Sequence, residues 1–194
     1  MSGVRTFIGI PLPEDVVTTL LAACDAVRDA DPSWRSEKWV PRQNIHVTIK
    51  FLGDIPDDSL DALADAVESA ASACDAFELA EAGIRAVPNP RRARMLWGTF
   101  TDPEGMCAAL ASAMDRVGLE FGVAPDERSF KPHATLVRAR HDRRLGASAL
   151  EAARLEIDRI PERVSVGSVT LYASRLTSAD PVYTALRACE LGHG

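Results

Sequence analysis

The sequence predicts an α+β fold with largely antiparallel sheets. Three observations carry this prediction. Strand-like and helix-like segments are mixed along the chain, and a helix stands between strands more than once. No low-complexity stretch or linker divides the 194 residues, 46% of them hydrophobic, so a single domain spanning 1–194 can bury its own core. Two matching tetrapeptides lie 87 residues apart, which fits one copy in each half of a pseudo-symmetric structure. The pattern by itself leaves an α/β arrangement open.

The elements follow in order. Residues 5–11 read as a strand, because Thr6, Phe7, Ile8 and Ile10 are apolar or β-prone. Pro13, Glu14 and Asp15 open a helix, with proline at the first turn and acids where the helix dipole favours them. Val16, Leu20, Cys24 and Val27 give that helix one apolar face. Residues 38–40 form a short strand ended by Pro41, and 45–52 a strong strand stopped by Gly53. Asp57 or Asp58 caps a helix reaching about Cys74, with Leu60, Leu63, Ala64 and Val67 inward. A second passage has a similar layout. Strands at 77–87 and 95–100 flank a turn at 88–92, and Asp102-Pro103 starts a helix reaching about Gly118. A strand at 132–137, a helix at 147–157 and strands at 164–173 and 182–191 complete the chain.

The formal net charge is −6, from 22 basic and 28 acidic residues. An acidic chain is a poor binder of long nucleic acid, since phosphate neutralisation supplies most non-specific affinity, but a local basic site can still grip one phosphate or one RNA end. Nineteen of the basic residues are arginine, an excess that reads as coding bias. The apolar runs fall short of the roughly 20 residues that span a bilayer, and the first residues lack a signal-peptide layout, so a cytoplasmic protein with no membrane partner is expected. Cys24, Cys74, Cys107 and Cys189 show neither metal-binding nor redox spacing and are expected to be reduced and at least half-buried.

The chemistry lies in the tetrapeptides His46-Val47-Thr48-Ile49 and His133-Ala134-Thr135-Leu136. In a strand, residues i and i+2 share a face, so His46 and Thr48 point one way while Ile45, Val47, Ile49 and Phe51 point the other. His133 and Thr135 likewise share a face. Two such strands across a groove present two imidazoles and two hydroxyls. One imidazole can be neutral and act as base while the other is protonated and acts as acid, and threonine hydroxyls can donate to phosphoryl oxygens. This set suits in-line displacement at phosphorus without a cofactor. A metal site is disfavoured, because each strand offers one histidine and no nearby carboxylate or thiolate. Ordinary strand surface remains the competing reading of each tetrapeptide taken alone.

At these residues the sequence resembles the 2H phosphoesterases, and within them the RNA 2′,3′-cyclic phosphodiesterases, also known as 2′-5′ RNA ligases. Residues 5–13 are similar to the family's opening strand. Trp39-Val40-Pro41 with Asn44-Ile45-His46-Val47-Thr48-Ile49-Lys50-Phe51-Leu52-Gly53 is similar to its first motif block. Phe130-Lys131-Pro132-His133-Ala134-Thr135-Leu136-Val137-Arg138 is similar to the second, with Ala134 smaller than the usual branched residue. Leu171-Tyr172-Ala173-Ser174 and Pro181-Val182-Tyr183 are similar to its C-terminal signature. The resemblance implies a bilobal fold of two mainly antiparallel sheets flanked by helices, with the motif strands facing across a central cleft. It implies hydrolysis of RNA 2′,3′-cyclic phosphate ends to 2′-phosphomonoesters. His46 would protonate the leaving 3′-oxygen, His133 would activate water, and Thr48 and Thr135 would hold the phosphoryl oxygens. Arg138 would help neutralise the phosphate, but its odd offset from His133 requires a bulge or strand end to turn it into the cleft.

Two other readings stand beside this one. The first is joining or cleavage of 2′-5′ bonds, or action on another cyclic nucleotide. The second is a nucleotide-binding module without turnover, which has no need of a paired acid and base. RNA 3′ ends or small cyclic nucleotides are the expected partners, and a monomer the expected state. Arg128 and Lys131 read as solvated rim, His141 as exposed loop and His193 as a mobile tail. Trp39, Phe51, Trp97 and Tyr183 read as core at strand positions, with base stacking as their functional alternative.

Overall fold

The computed structural model describes residues 3–177 and 180–192. The elements run β1 (Gly3–Pro11), α1 (Glu14–Ala30), β2 (Lys38–Trp39), β3 (His46–Pro56), α2 (Leu60–Ser72), β4 (Phe77–Val87), β5 (Ala93–Thr101), α3 (Met106–Glu120), β6 (His133–Arg143), α4 (Ala147–Ile157), β7 (Arg163–Val166), β8 (Ser168–Arg175) and β9 (Val182–Glu190). Most predicted elements stand where the pattern put them, and the departures are local. Gly53 does not stop β3; it takes a left-handed φ of 76° and lets the strand continue to Pro56. The helix expected from Asp102 starts at Met106, yet the Asp102 carboxylate still caps it by accepting from the Cys107 and Ala108 amides at 3.2 and 2.9 Å. The strand expected at 164–173 is two strands divided at Gly167. His141 lies on β6 rather than in a loop, and His193 falls outside the described residues.

The strands pair in the order β7-β4-β5-β6-β3-β1-β8-β9, with β2 on β6, and every ladder is antiparallel. The two expected sheets are the four-stranded halves of this path. They meet through the pair Val47 and Ala134, the middle residues of the two motifs. An antiparallel pair has a local two-fold axis between its strands, and here the axis relates the halves. The run β1-α1-β3-α2 repeats as β5-α3-β6-α4.

The helices cross between the halves. Helix α1 buries Val16, Leu20, Cys24 and Val27 and packs on α4 and β6. It approaches β5 so closely that a Cβ at Gly98 would lie 2.6 Å from Leu20 Cδ2. Helix α3 packs beneath β3, where Gly118 faces Leu52 and the Lys50 stem. Each half's first helix therefore covers the other half's sheet. Full burial of an aliphatic side chain such as Leu20 is worth roughly 1.5–3 kcal/mol, so this exchange ties the halves together through their core. The opposite sheet faces remain free for the site. All four cysteines are free, and burial pushes the Cys24 thiol up to about 12, leaving it unreactive. No helix among the described residues is long and apolar enough to cross a membrane.

Candidate active site

Val47 and Ala134 are fully buried, directly opposite one another. Their flanking residues turn to the other face, so His46, Thr48, His133 and Thr135 all open on the cleft side. Because the strands are antiparallel, His46 is carried beside Thr135 and Thr48 beside His133.

The two imidazoles are held alike. His46 Nδ1 lies 2.8 Å from the Asn44 carbonyl, and His133 Nδ1 lies 2.8 Å from the Lys131 carbonyl, each two residues upstream. A carbonyl only accepts, so each Nδ1 carries the proton and each neutral ring turns an unprotonated Nε2 to the cleft. In His46 that nitrogen accepts from the Thr48 hydroxyl at 2.9 Å. An aromatic ring lies against each imidazole: Phe7 stacks on His46 at 4.9 Å and Trp97 on His133 at 3.9 Å. Gly9 makes room for the first stack, since a Cβ there would lie 2.9 Å from His46 Cδ2. Tyr183 meets His46 edge-on at 5.5 Å. These rings remove water, and burial lowers the His46 pKa from 6.5 to about 4, partly opposed by the Asn44 carbonyl. Burial also lowers His133, and the positive charge of Arg138 adds to that shift.

A bulge follows each motif. The β1 ladder passes from Lys50 to Thr48 and leaves Ile49 unopposed, while the β5 ladder passes from Val137 to Thr135 and leaves Leu136 unopposed. Each extra residue reverses the alternation, so the fifth residue after each histidine returns to the cleft face. Those residues are Phe51 and Arg138. Phe51, expected on the buried side, is 61% exposed and lines the cleft. Arg138 is turned inward by the bulge that its odd offset required, with Nη1 donating to Met95 Sδ at 3.3 Å. The same reversal buries Lys50 at 2% exposure, where Nζ donates to the Ala124 carbonyl at 2.8 Å and pairs with Asp115 at 2.6 Å. Asp115 ties the ammonium to α3, while the Ala124 contact and a second ion pair to Asp126 at 3.3 Å fasten the loop that walls the cleft on the His133 side.

Two cavities meet at the motifs. One of about 100 Å³ holds His46, Asn44 and Tyr183, and one of about 920 Å³ holds His133, Trp97 and the loop from Pro125 to Lys131. They share Thr48, Phe51, Thr135 and Arg138, so the hydroxyls, ring and guanidinium stand between the two imidazoles. Arg128 and Lys131 sit on the wall of the larger cavity, and His141 is exposed further along β6. Of the aromatics expected in the core, Phe51, Trp97 and Tyr183 instead border the site, and Trp39 both packs against the core and lines the smaller cavity. Phe7 and Tyr172, five to six ångströms from His46, join them from β1 and β8. A matched signal did exist for Phe51: it sits five residues after its histidine, as Arg138 does. Among the described residues no group of three or more His, Cys, Asp or Glu is placed to hold a metal ion.

Comparison with known proteins agrees with the fold. A model of the family described as LigT like Phosphoesterase matches residues 10–97 and 102–183. The chain is 29% identical over 188 residues to the RNA 2′,3′-cyclic phosphodiesterase of Methanothermobacter thermautotrophicus, covering 97% of this chain and 99% of that one. It is 29% identical over 157 residues to the protein of the same name from Aquifex aeolicus, covering 80% and 82%. Among solved structures, TT0787 of Thermus thermophilus superposes with a TM-score of 0.75 at 26% identity, covering 97% and 98%. The LigT of E. coli in apo form shares the fold at a TM-score of 0.69 and 23% identity, over 100% of both chains.

Proposed function

The chain belongs to the LigT-like phosphoesterase family, and from that premise we propose that its two-histidine cleft hydrolyses the 2′,3′-cyclic phosphate ends of RNA to 2′-phosphomonoesters. The observation that carries the proposal is the Val47–Ala134 pair, which turns both His-x-Thr motifs to one cleft with each Nε2 facing inward. The relatives named RNA 2′,3′-cyclic phosphodiesterase support the choice of substrate.

In this reading the phosphorus sits between the imidazoles. His133 Nε2 takes a proton from water as the water attacks phosphorus opposite the 3′-oxygen. His46, protonated on Nε2, gives its proton to the departing 3′-oxygen, and the phosphate remains on the 2′-oxygen. Thr48 and Thr135 donate to the non-bridging oxygens, where charge grows in the transition state, and Arg138 offsets that charge. Main-chain carbonyls hold both rings on rigid strands, so little reorganisation accompanies proton transfer. Phe51 offers a ring face to the terminal base.

Phosphorus NMR of the product from a dinucleotide ending in a 2′,3′-cyclic phosphate tests the proposal. A dominant 2′-phosphate is expected. A dominant 3′-phosphate would overturn the placement of acid and base, and no turnover would overturn the activity.

A further inference from the structure

A second cation stands beside Arg138 without an evident structural purpose. Lys38 on β2 is the direct cross-strand partner of Arg138, and both line the cavity that holds His46. Directly opposed residues on a ladder share a face with Cα atoms about 5 Å apart, and like charges placed so are destabilising. Neither cation has an acidic partner among the described residues. Nearby arginines do: Arg92 pairs with Asp142, and Arg143 with the buried Glu37. Asp180 also borders the cavity but forms no ion pair with Lys38 or Arg138. Two unneutralised cations in register at a cleft are arranged for an anion.

The chemistry indicates which anion. It rests on the phosphodiesterase reading above, in which the leaving 3′-oxygen lies at His46. The terminal ribose, and whatever its 5′-carbon carries, then lies on the His46 side, in the cavity bordered by Lys38. The reacting phosphate already engages the two threonines and Arg138. We infer that Lys38 binds the next phosphate along the strand, the one on the 5′ side of the terminal nucleoside. The preferred substrate is then an RNA end of two or more nucleotides rather than a lone nucleoside cyclic phosphate.

The test compares kcat/KM on three substrates: a nucleoside 2′,3′-cyclic phosphate, the same nucleoside carrying a 5′-phosphate, and a dinucleotide ending in the cyclic phosphate. The wild type should favour the dinucleotide over the unphosphorylated nucleoside by roughly tenfold, the scale of one charged hydrogen bond. Lys38→Met keeps the aliphatic stem and removes the charge. It should lose about that factor on the dinucleotide and change the unphosphorylated nucleoside by less than about twofold, while Lys38→Arg retains the preference. The salt dependence of kcat/KM for the dinucleotide should become shallower by about 0.7 in log–log slope, the loss of one phosphate contact on a single strand. Equal losses on all substrates, or no loss on the dinucleotide, would overturn the inference. A preference for the 5′-phosphorylated nucleoside alone would overturn it too, since the site would then read a phosphate end and not an RNA backbone. No turnover of any substrate by the wild type would instead refute the phosphodiesterase reading itself.

Discussion

A neutral imidazole in a dry wall must gain a proton before it can give one. His46 holds its proton-bearing Nδ1 against a carbonyl and its Nε2 against Thr48, and burial lowers its pKa to about 4. His133 is lowered in the same direction. In the proposed mechanism the working form needs one proton shared between the pair. In the free protein that form is most populated below the ordinary histidine value, so the bell of kcat/KM should centre below about pH 6.5. A bound phosphate anion favours imidazolium, so the bell of kcat should lie at higher pH. Coincident optima in the two profiles would contradict this account. Replacing either His46 or His133 with alanine should reduce kcat by roughly 10² to 10⁴, and the double variant should lose less than the product, because the two act as a unit. Steady-state rates of the three variants settle the point; near wild-type turnover in either single variant excludes that histidine from the chemistry.

At the scale of the element, the two bulges decide what the cleft contains. Alternation along a strand correctly puts Val47 and Ala134 in the core and the motif histidines outside it. It then fails at Phe51, because Ile49 stands without a partner on β1 and the residues after it change face, until a second shift at Leu52 restores the alternation and Ile55 is buried again. The local sequence carries no glycine or proline at Ile49 or Leu136 to announce a bulge. Those bulges arise from how the strand must bend to serve two neighbours, which one strand's sequence does not state. Phe51 provides the test. An exposed ring adds little to the core, so Phe51→Ala should leave Tm within a few degrees of wild type. Its loss from the cleft should lower kcat/KM by about one order of magnitude or more, in line with roughly 1–3 kcal/mol for stacking on a base. A large fall in Tm with unchanged kinetics would return Phe51 to a structural role.

For the whole molecule, the crossed helices make the cleft a product of both halves. Helix α1 follows β1 but supports β5 and β6, and α3 follows β5 but supports β3. The burial that dries the histidines is therefore linked to global stability. A group whose folded pKa lies below its unfolded value binds fewer protons in the folded state. His46 falls from 6.5 to about 4, so its contribution is complete above about pH 6.5 and is lost as pH falls toward 4. His133 acts in the same sense. Denaturant unfolding of the wild type and His46→Gln across pH 4–7 reads this directly. The variant should gain stability relative to the wild type as pH drops through that window. A difference independent of pH would mean that His46 is no drier in the folded chain than in the unfolded one.

The sequence by itself determined the elements and the candidate reacting groups. The local pattern placed β4 and α4 at their observed bounds and α1 at its observed start. The paired His-x-Thr motifs named the candidate acid and base, since a strand's two-residue repeat is a local property that tertiary contacts rarely reverse over three residues. Only the tertiary structure decided what surrounds them. The union of two sheets at one residue pair, the rings of Phe7, Trp97 and Tyr183 against the imidazoles, the inward turn of Phe51 and Arg138, and the facing of Lys38 and Arg138 all join segments far apart in the chain. Their positions depend on sheet register, helix crossing and bulges, which are set by the competition of many buried contacts at once. No single stretch of sequence contains that sum.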